Sequence, residues 1–165
     1  MIVFDPYLNE VHYLLLDYIK LHDKVFDTST KFKKFKKIFF PIKFPKIKSE
    51  LDIIKQNLNH KENEIRKLDY NKESIEECNL YESLVEYINS LQTTINYFDI
   101  ILVGLIKKSK NLHYSIDDYK NDYQIYNKSV TVYRRKGVDL NQAFTKYIRY
   151  STEQYVKNNE NNIFK

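Results

Sequence analysis

The strongest constraint on this chain is a stripe that runs from Tyr81 to Tyr133. It reads Tyr81, Leu84, Ile88, Leu91, Ile95, Phe98, Leu102, Leu105, Ser109, Leu112, Ile116, Tyr119, Tyr123, Tyr126, Val130 and Tyr133, in steps of three and four without a slip. Only Ser109 among these positions is neither apolar nor aromatic. Such a heptad seam keeps one side of a helix against partner helices over its whole length. The predicted fold is therefore all-α, a helical bundle organised around a long heptad-patterned helix from about residue 73 to residue 136.

One junction in the seam can be read two ways. Lys107, Lys108 and Lys110 suit the end of a helix, Asn111 suits a terminator, and Ser115 with Asp117 and Asp118 suits a new N-terminus. Against a break over 109–115, the heptad phase passes through unshifted. The phase favours one continuous or gently kinked helix over a hairpin. The seam also changes character. Before Lys107 it is aliphatic and flanked by further apolar residues (Val85, Ile100, Ile101, Val103, Ile106), which predicts burial on several sides. After Ser115 it is narrow and rich in tyrosine, which suits a half-wet contact with another molecule. Tyr119, Tyr123, Tyr126 and Tyr133 are the candidate protein-interaction face.

Turn-forming residues are scarce, with two glycines and three prolines in 165 residues, which again favours few, long elements. A first helix is predicted from Asp5 as N-cap with Pro6 behind it, carrying Leu8, Val11, Leu15, Tyr18, His22 and Val25, and ending near residues 27–30. A second is predicted from Ser49 to a turn at 69–72, with Leu51, Ile54, Leu58, Ile65 and Leu68 on its face. Gly137 reads as the end of the seam helix. Asp139 with Gln142 reads as the cap of a last helix carrying Leu140, Phe144 and Tyr147. Residues 157–165, rich in asparagine, are predicted to fray. The length fits a single domain over 1–165.

Charge is unevenly placed. From Thr28 to Lys48 there are eight lysines and no acid, so the net charge of +5 is about +8 here and −3 elsewhere. Half of the ten phenylalanines lie in the same stretch. Residues 31–48 thus form a basic-aromatic connecting segment, and Pro41 and Pro45 within it read as stops that favour extended chain. Lys, Asn, Ile, Tyr and Phe are abundant throughout, as an AT-rich coding sequence would make them. The adjacent Arg134 and Arg135 run against that bias and carry more information.

Several chemistries lack their residues. Two isolated glycines cannot build a phosphate-cradling loop. His12, His22, His60 and His113 show no metal-ligand spacing, and Cys78, the one cysteine, leaves no intrachain disulfide or cysteine-based metal site. No Ser or Cys nucleophile motif is recognisable. The longest apolar run, Ile100 to Ile106, is far short of the roughly 20 residues a membrane span needs. No signal peptide is visible at the N-terminus, and the expected location is cytoplasmic. No cofactor, metal site or small-molecule substrate is predicted.

Two clusters could bind anions. Lys31, Phe32, Lys33, Lys34, Phe35, Lys36, Lys37, Phe39 and Lys43 interleave charge with rings, which suits an anionic membrane surface or the phosphates and unpaired bases of a nucleic acid. Arg134, Arg135 and Lys136 could grip phosphate or carboxylate, or merely complement a helix C-terminus. The expectation is a non-catalytic interaction or assembly protein with a protein partner or self-association. The rivals are an RNA-contacting subunit of a ribonucleoprotein and a small inhibitor of one protein target.

Overall fold

The structure, a computed structural model, describes residues 4–26 and 43–163, with side chains through residue 156. These residues form four helices: α1 (Asp5–Phe26), α2 (Phe44–Ile65), α3 (Ile75–Ser109) and α4 (Ile116–Ile163). No strand occurs among the described residues.

Side-chain pairs along the helices establish the topology. Lys24 reaches Glu50 at 3.0 Å while Lys61 reaches Glu10, so α1 and α2 run antiparallel. Lys55 meets Asp99 at 2.8 Å and Gln92 bonds Asn59 and Glu62, which sets α2 antiparallel to α3. Lys136 on Glu86 at 2.6 Å and Tyr126 beside Phe98 at 5.9 Å do the same for α3 and α4. Phe4 on Tyr147 and Tyr18 on Tyr126 set α4 antiparallel to α1. The result is an up-down-up-down four-helix bundle.

The seam is its axis. Leu84, Ile88, Leu91, Phe98 and Leu102 are fully buried, with Leu51, Leu58 and Ile65 of α2 packed into the same core. Leu80, Tyr87, Thr94 and Ile101 add a second buried row on α3, because α3 has α2 on one side and α4 on the other. The expected flanking burial is uneven: Val85 and Ile106 are half-buried, whereas Ile100 and Val103 are exposed.

The continuous rod favoured by the phase does not form; the helix breaks between Ser109 and Ile116 and folds back. Local chemistry decides this. Asn111 adopts the left-handed region at φ 58°, which asparagine tolerates. The Leu112 amide donates to the Lys107 carbonyl at 2.9 Å and the Asn111 amide to Lys108 at 3.1 Å, a Schellman termination. Ser115 and Asp118 then exchange bonds at 2.8 and 3.0 Å, a capping box that starts α4. Tyr114 seals the turn. Its ring lies so close to Gly104 that a Cβ there would come within 2.1 Å of it, and its hydroxyl donates to Asp122 at 2.9 Å.

Three other boundaries are corrected. The second helix starts at Phe44, not Ser49. Pro45 falls in its first turn, where no amide is needed, and Ser49 sits inside with its hydroxyl bonded to the Pro45 carbonyl. That helix ends at Ile65, short of the turn expected at 69–72. Gly137 does not stop a helix, and there is no separate last one; α4 runs through it to Ile163. Gly137 is a seam position, and the spacing continues through Leu140, Phe144 and Tyr147, with Leu140 and Tyr147 buried. A Cβ at Gly137 would stand 3.3 Å from the Tyr87 ring, so the missing side chain lets α3 and α4 close. The backbone of α4 is helical to Ile163.

Candidate functional site

Alternating helix direction gathers four termini at one pole: the C-terminal ends of α1 and α3 and the N-terminal ends of α2 and α4. Phe26 and Lys43, the described residues on either side of 27–42, lie there. Lys31, Phe32, Lys33, Lys34, Phe35, Lys36, Lys37 and Phe39 themselves lie outside the described residues. Lys43 and Lys46 are exposed on the first turn of α2, and Lys24, Lys43, Lys46 and Ile47 surround Glu50. Lys107, Lys108 and Lys110 are exposed at the end of α3 and form no ion pair among the described residues. The sequence shows this lysine trio as a helix terminus; only the hairpin carries it to the pole of the basic segment. Lys107 and Lys108 also complement the negative end of the α3 dipole, and Asp117 and Asp118 of α4 temper the charge locally.

Arg134, Arg135 and Lys136 do not close a helix. They lie in the middle of α4, roughly 27 Å from its start at about 1.5 Å per residue, so the two basic clusters are not one site. Lys136 pairs with Glu86 at 2.6 Å and stands 3.9 Å from Asp139. Arg134 and Arg135 are exposed, with no ion pair among the described residues.

The tyrosine face divides. Tyr126 and Tyr133 are buried, 3% and 8% exposed, inside the chain's own bundle and not on a surface for another molecule. Tyr119 is half-buried and Tyr123 is 40% exposed. The physical reason is α1, which closes over this side of α4 and supplies the partner rings. Phe26 stacks at 5.6 Å on Tyr126 and meets Tyr123 at 5.4 Å. The Tyr18 and Tyr126 hydroxyls share a hydrogen bond of 2.6 Å. Burial pushes both phenols, and that of Tyr87, well above the ordinary tyrosine value; the neighbouring Tyr126 adds to the shift at Tyr18. All three stay neutral at physiological pH.

These rings bridge helices whose backbones stand apart, for no Cα of α1 comes within 8 Å of one in α4. Between the Phe4–Tyr147 bridge and the Tyr18–Tyr126 bridge lies an open cleft of about 380 Å³. Leu8, Val11 and Leu15 form one wall, Leu140 and Phe144 the other, and Leu84, Tyr87 and Gly137 the floor. Its volume falls within the ~300–1,000 Å³ typical of ligand sites. The cleft was not legible in the sequence, because Gly137 reads there as a stop.

Among the described residues no group of three or more His, Cys, Asp or Glu is placed to hold a metal ion, and no helix is long and apolar enough to cross a membrane. Comparison with known protein families, characterised proteins and solved structures finds no match to this chain.

Proposed function

We propose that this chain is a non-catalytic interaction protein that engages an anionic partner through the basic pole of its bundle. One observation supports the reading above the others. Exposed Lys43, Lys46, Lys107, Lys108 and Lys110 lie at the same pole as Phe26, and the sequence between Phe26 and Lys43 carries Lys31, Lys33, Lys34, Lys36 and Lys37 with no acid after Asp27. Elsewhere several bundle cations already have partners: Lys48 and Lys55 on Asp99, Lys61 on Glu10 and Glu64, Arg66 on Glu62, Lys136 on Glu86. Exposed cations without an ion pair among the described residues also lie elsewhere, at Lys67, Lys72, Lys128, Arg134, Arg135, Lys146 and Arg149, and Lys46 itself stands 3.9 Å from Glu50. What sets this pole apart is the lysine-rich stretch of sequence that joins it.

An anionic membrane surface fits this pole best. Phenylalanine rings at the spacing of Phe32, Phe35 and Phe39 suit the headgroup boundary, and each lysine near such a surface contributes about 1 kcal/mol. An RNA partner would use the same lysines on phosphate and the same rings on unpaired bases. Sedimentation with phosphatidylserine vesicles, run beside a salt titration with single-stranded RNA, separates the two. Vesicle binding that weakens with salt and falls when Lys33, Lys34, Lys36 and Lys37, or Lys107 and Lys108, are changed to Glu supports the membrane reading. RNA binding with the same dependence on charge would replace it. A chain that binds neither at low salt would refute the anionic partner altogether. Self-association or a protein partner would use what remains of the tyrosine edge, Tyr119 and Tyr123.

A further inference from the structure

The turn between α3 and α4 interrupts a seam whose phase it does not disturb. Ser109, Leu112 and Ile116 keep the three-and-four spacing across the break, as though the helix ran on. In the hairpin, Leu112 and Ile116 are left 58% and 64% exposed. In one uninterrupted helix they would lie on the same stripe as Leu105 and Tyr119, facing a partner. The bonds that enforce reversal are few and local: the left-handed Asn111, the Ser115–Asp118 capping box, and the Tyr114 ring on Gly104 with its bond to Asp122.

We propose that residues 110–115 are a hinge through which two copies of this chain exchange α4. The product is a domain-swapped dimer in which α3 and α4 of each chain run as one helix. Every contact of α4 with α1 and α3 is then remade with the other copy, so the core packing is conserved. Only the turn contacts are lost. In return Leu112 and Ile116 of the two chains meet around the two-fold axis, and the hinge residues gain helical hydrogen bonds. The same buried stripe satisfies both forms, and the turn chemistry selects between them. This is the circumstance in which exchange is a low-cost route to a dimer. The fused helix would span roughly 130 Å at about 1.5 Å per residue.

The test measures mass and connectivity together. Gly104→Ala forces the Tyr114 ring from its seat, and Asn111→Ala replaces the left-handed residue with a helix former. Both variants, and the wild type refolded at high protein concentration, are expected to double in mass by light scattering and to lengthen by small-angle scattering. Adding Leu112→Glu and Ile116→Glu, which alter only exposed positions of the monomer, is expected to return the mass to that of one chain. Connectivity is read from cysteines placed at Glu86 and Lys136, in a Cys78→Ser background, and joined by a short bis-maleimide reagent that spans the reach of the Glu86 and Lys136 side chains. In the hairpin the reagent links α3 to α4 within one chain, whereas in the exchanged form it links two chains and leaves a covalent dimer under denaturing electrophoresis. Monomers under every condition would overturn the proposal, as would dimers whose Glu86–Lys136 cross-link stays within one chain.

Discussion

The hydrogen bond between Tyr18 and Tyr126 offers the sharpest test of how α1 is held to α4. The two residues are 1% and 3% exposed and their hydroxyls lie 2.6 Å apart. The helix backbones that carry them do not approach closely. A net intramolecular hydrogen bond contributes about 1 kcal/mol, but a buried hydroxyl left without its partner costs about 1–3 kcal/mol. Tyr18→Phe or Tyr126→Phe alone should therefore destabilise the fold by about 1–3 kcal/mol, since each strands the other phenol. The double change removes both hydroxyls, keeps both rings, and should cost no more than about 1 kcal/mol. Urea unfolding followed by circular dichroism would report this as single-variant midpoints lowered by about 0.5–1.5 M, with the double variant near wild type. The coupling read from the cycle should be at least about 1 kcal/mol. Single changes that are silent, or a double change equal to the sum of the two, would refute the claim that this bond is closed and dry.

Raising the pH addresses the same tyrosines from another side. Tyr18, Tyr87 and Tyr126 are held above the ordinary phenol value, mainly by burial. Below about pH 10 folded and unfolded chains carry the same phenol protons; above it only the unfolded chain releases them, so stability must fall as pH rises. The slope is about 1.4 kcal/mol per pH unit for each such tyrosine. Phenolate absorbance of these residues should thus appear only together with loss of helical circular dichroism. All fifteen tyrosines titrating together on an intact bundle would contradict it. Leu91→Ala, at a fully buried seam position, should cost about 2–5 kcal/mol in thermal or urea unfolding. Ile53→Ala, 58% exposed on α2, should stay within about 0.5 kcal/mol. Gly137→Leu drives side-chain atoms into the Tyr87 ring and should destabilise by about 1–3 kcal/mol, measured the same way.

The all-α class and most of the core were legible because they depend on periodicity alone. Leu84 through Leu102 on α3, Leu51 to Ile65 on α2, and Val11 and Tyr18 on α1 are buried where the spacing puts them. Boundaries set by single residues were harder to read, because the same residue serves opposite purposes. Pro45 can stop a helix or open one, and it opens α2. Gly137 can end a helix or admit a neighbouring ring, and it admits Tyr87. The tyrosine-rich half of the seam has the right composition for a half-wet surface, yet Tyr133 is buried in the bundle and Tyr126 is covered by rings of α1, more than 100 residues earlier in the chain. No local pattern announces that cover. The basic pole is of the same kind: its lysines are visible in sequence as two unrelated clusters, and only the up-down topology unites them.

The hairpin is the instructive case, because the seam cannot choose between its two solutions. A stripe with unshifted phase packs equally well whether α4 returns along its own α3 or along that of another copy; outside Leu112 and Ile116 the buried residues are the same in both. Discrimination falls to contacts that contribute nothing to the stripe. Tyr114 finds its seat at Gly104 only after the chain has turned, and its bond to Asp122 closes only on a helix already started. Such contacts are consequences of reversal as much as causes of it. They stabilise the closed form by an amount set by one ring, one left-handed asparagine and one capping box. They leave unchanged the much larger interface that either arrangement must bury. A sequence whose dominant signal is indifferent to connectivity has its connectivity decided by its weakest signals. In this chain those signals are confined to the junction from Gly104 to Asp122, so substitutions there should change chain connectivity while leaving the core packing as it is.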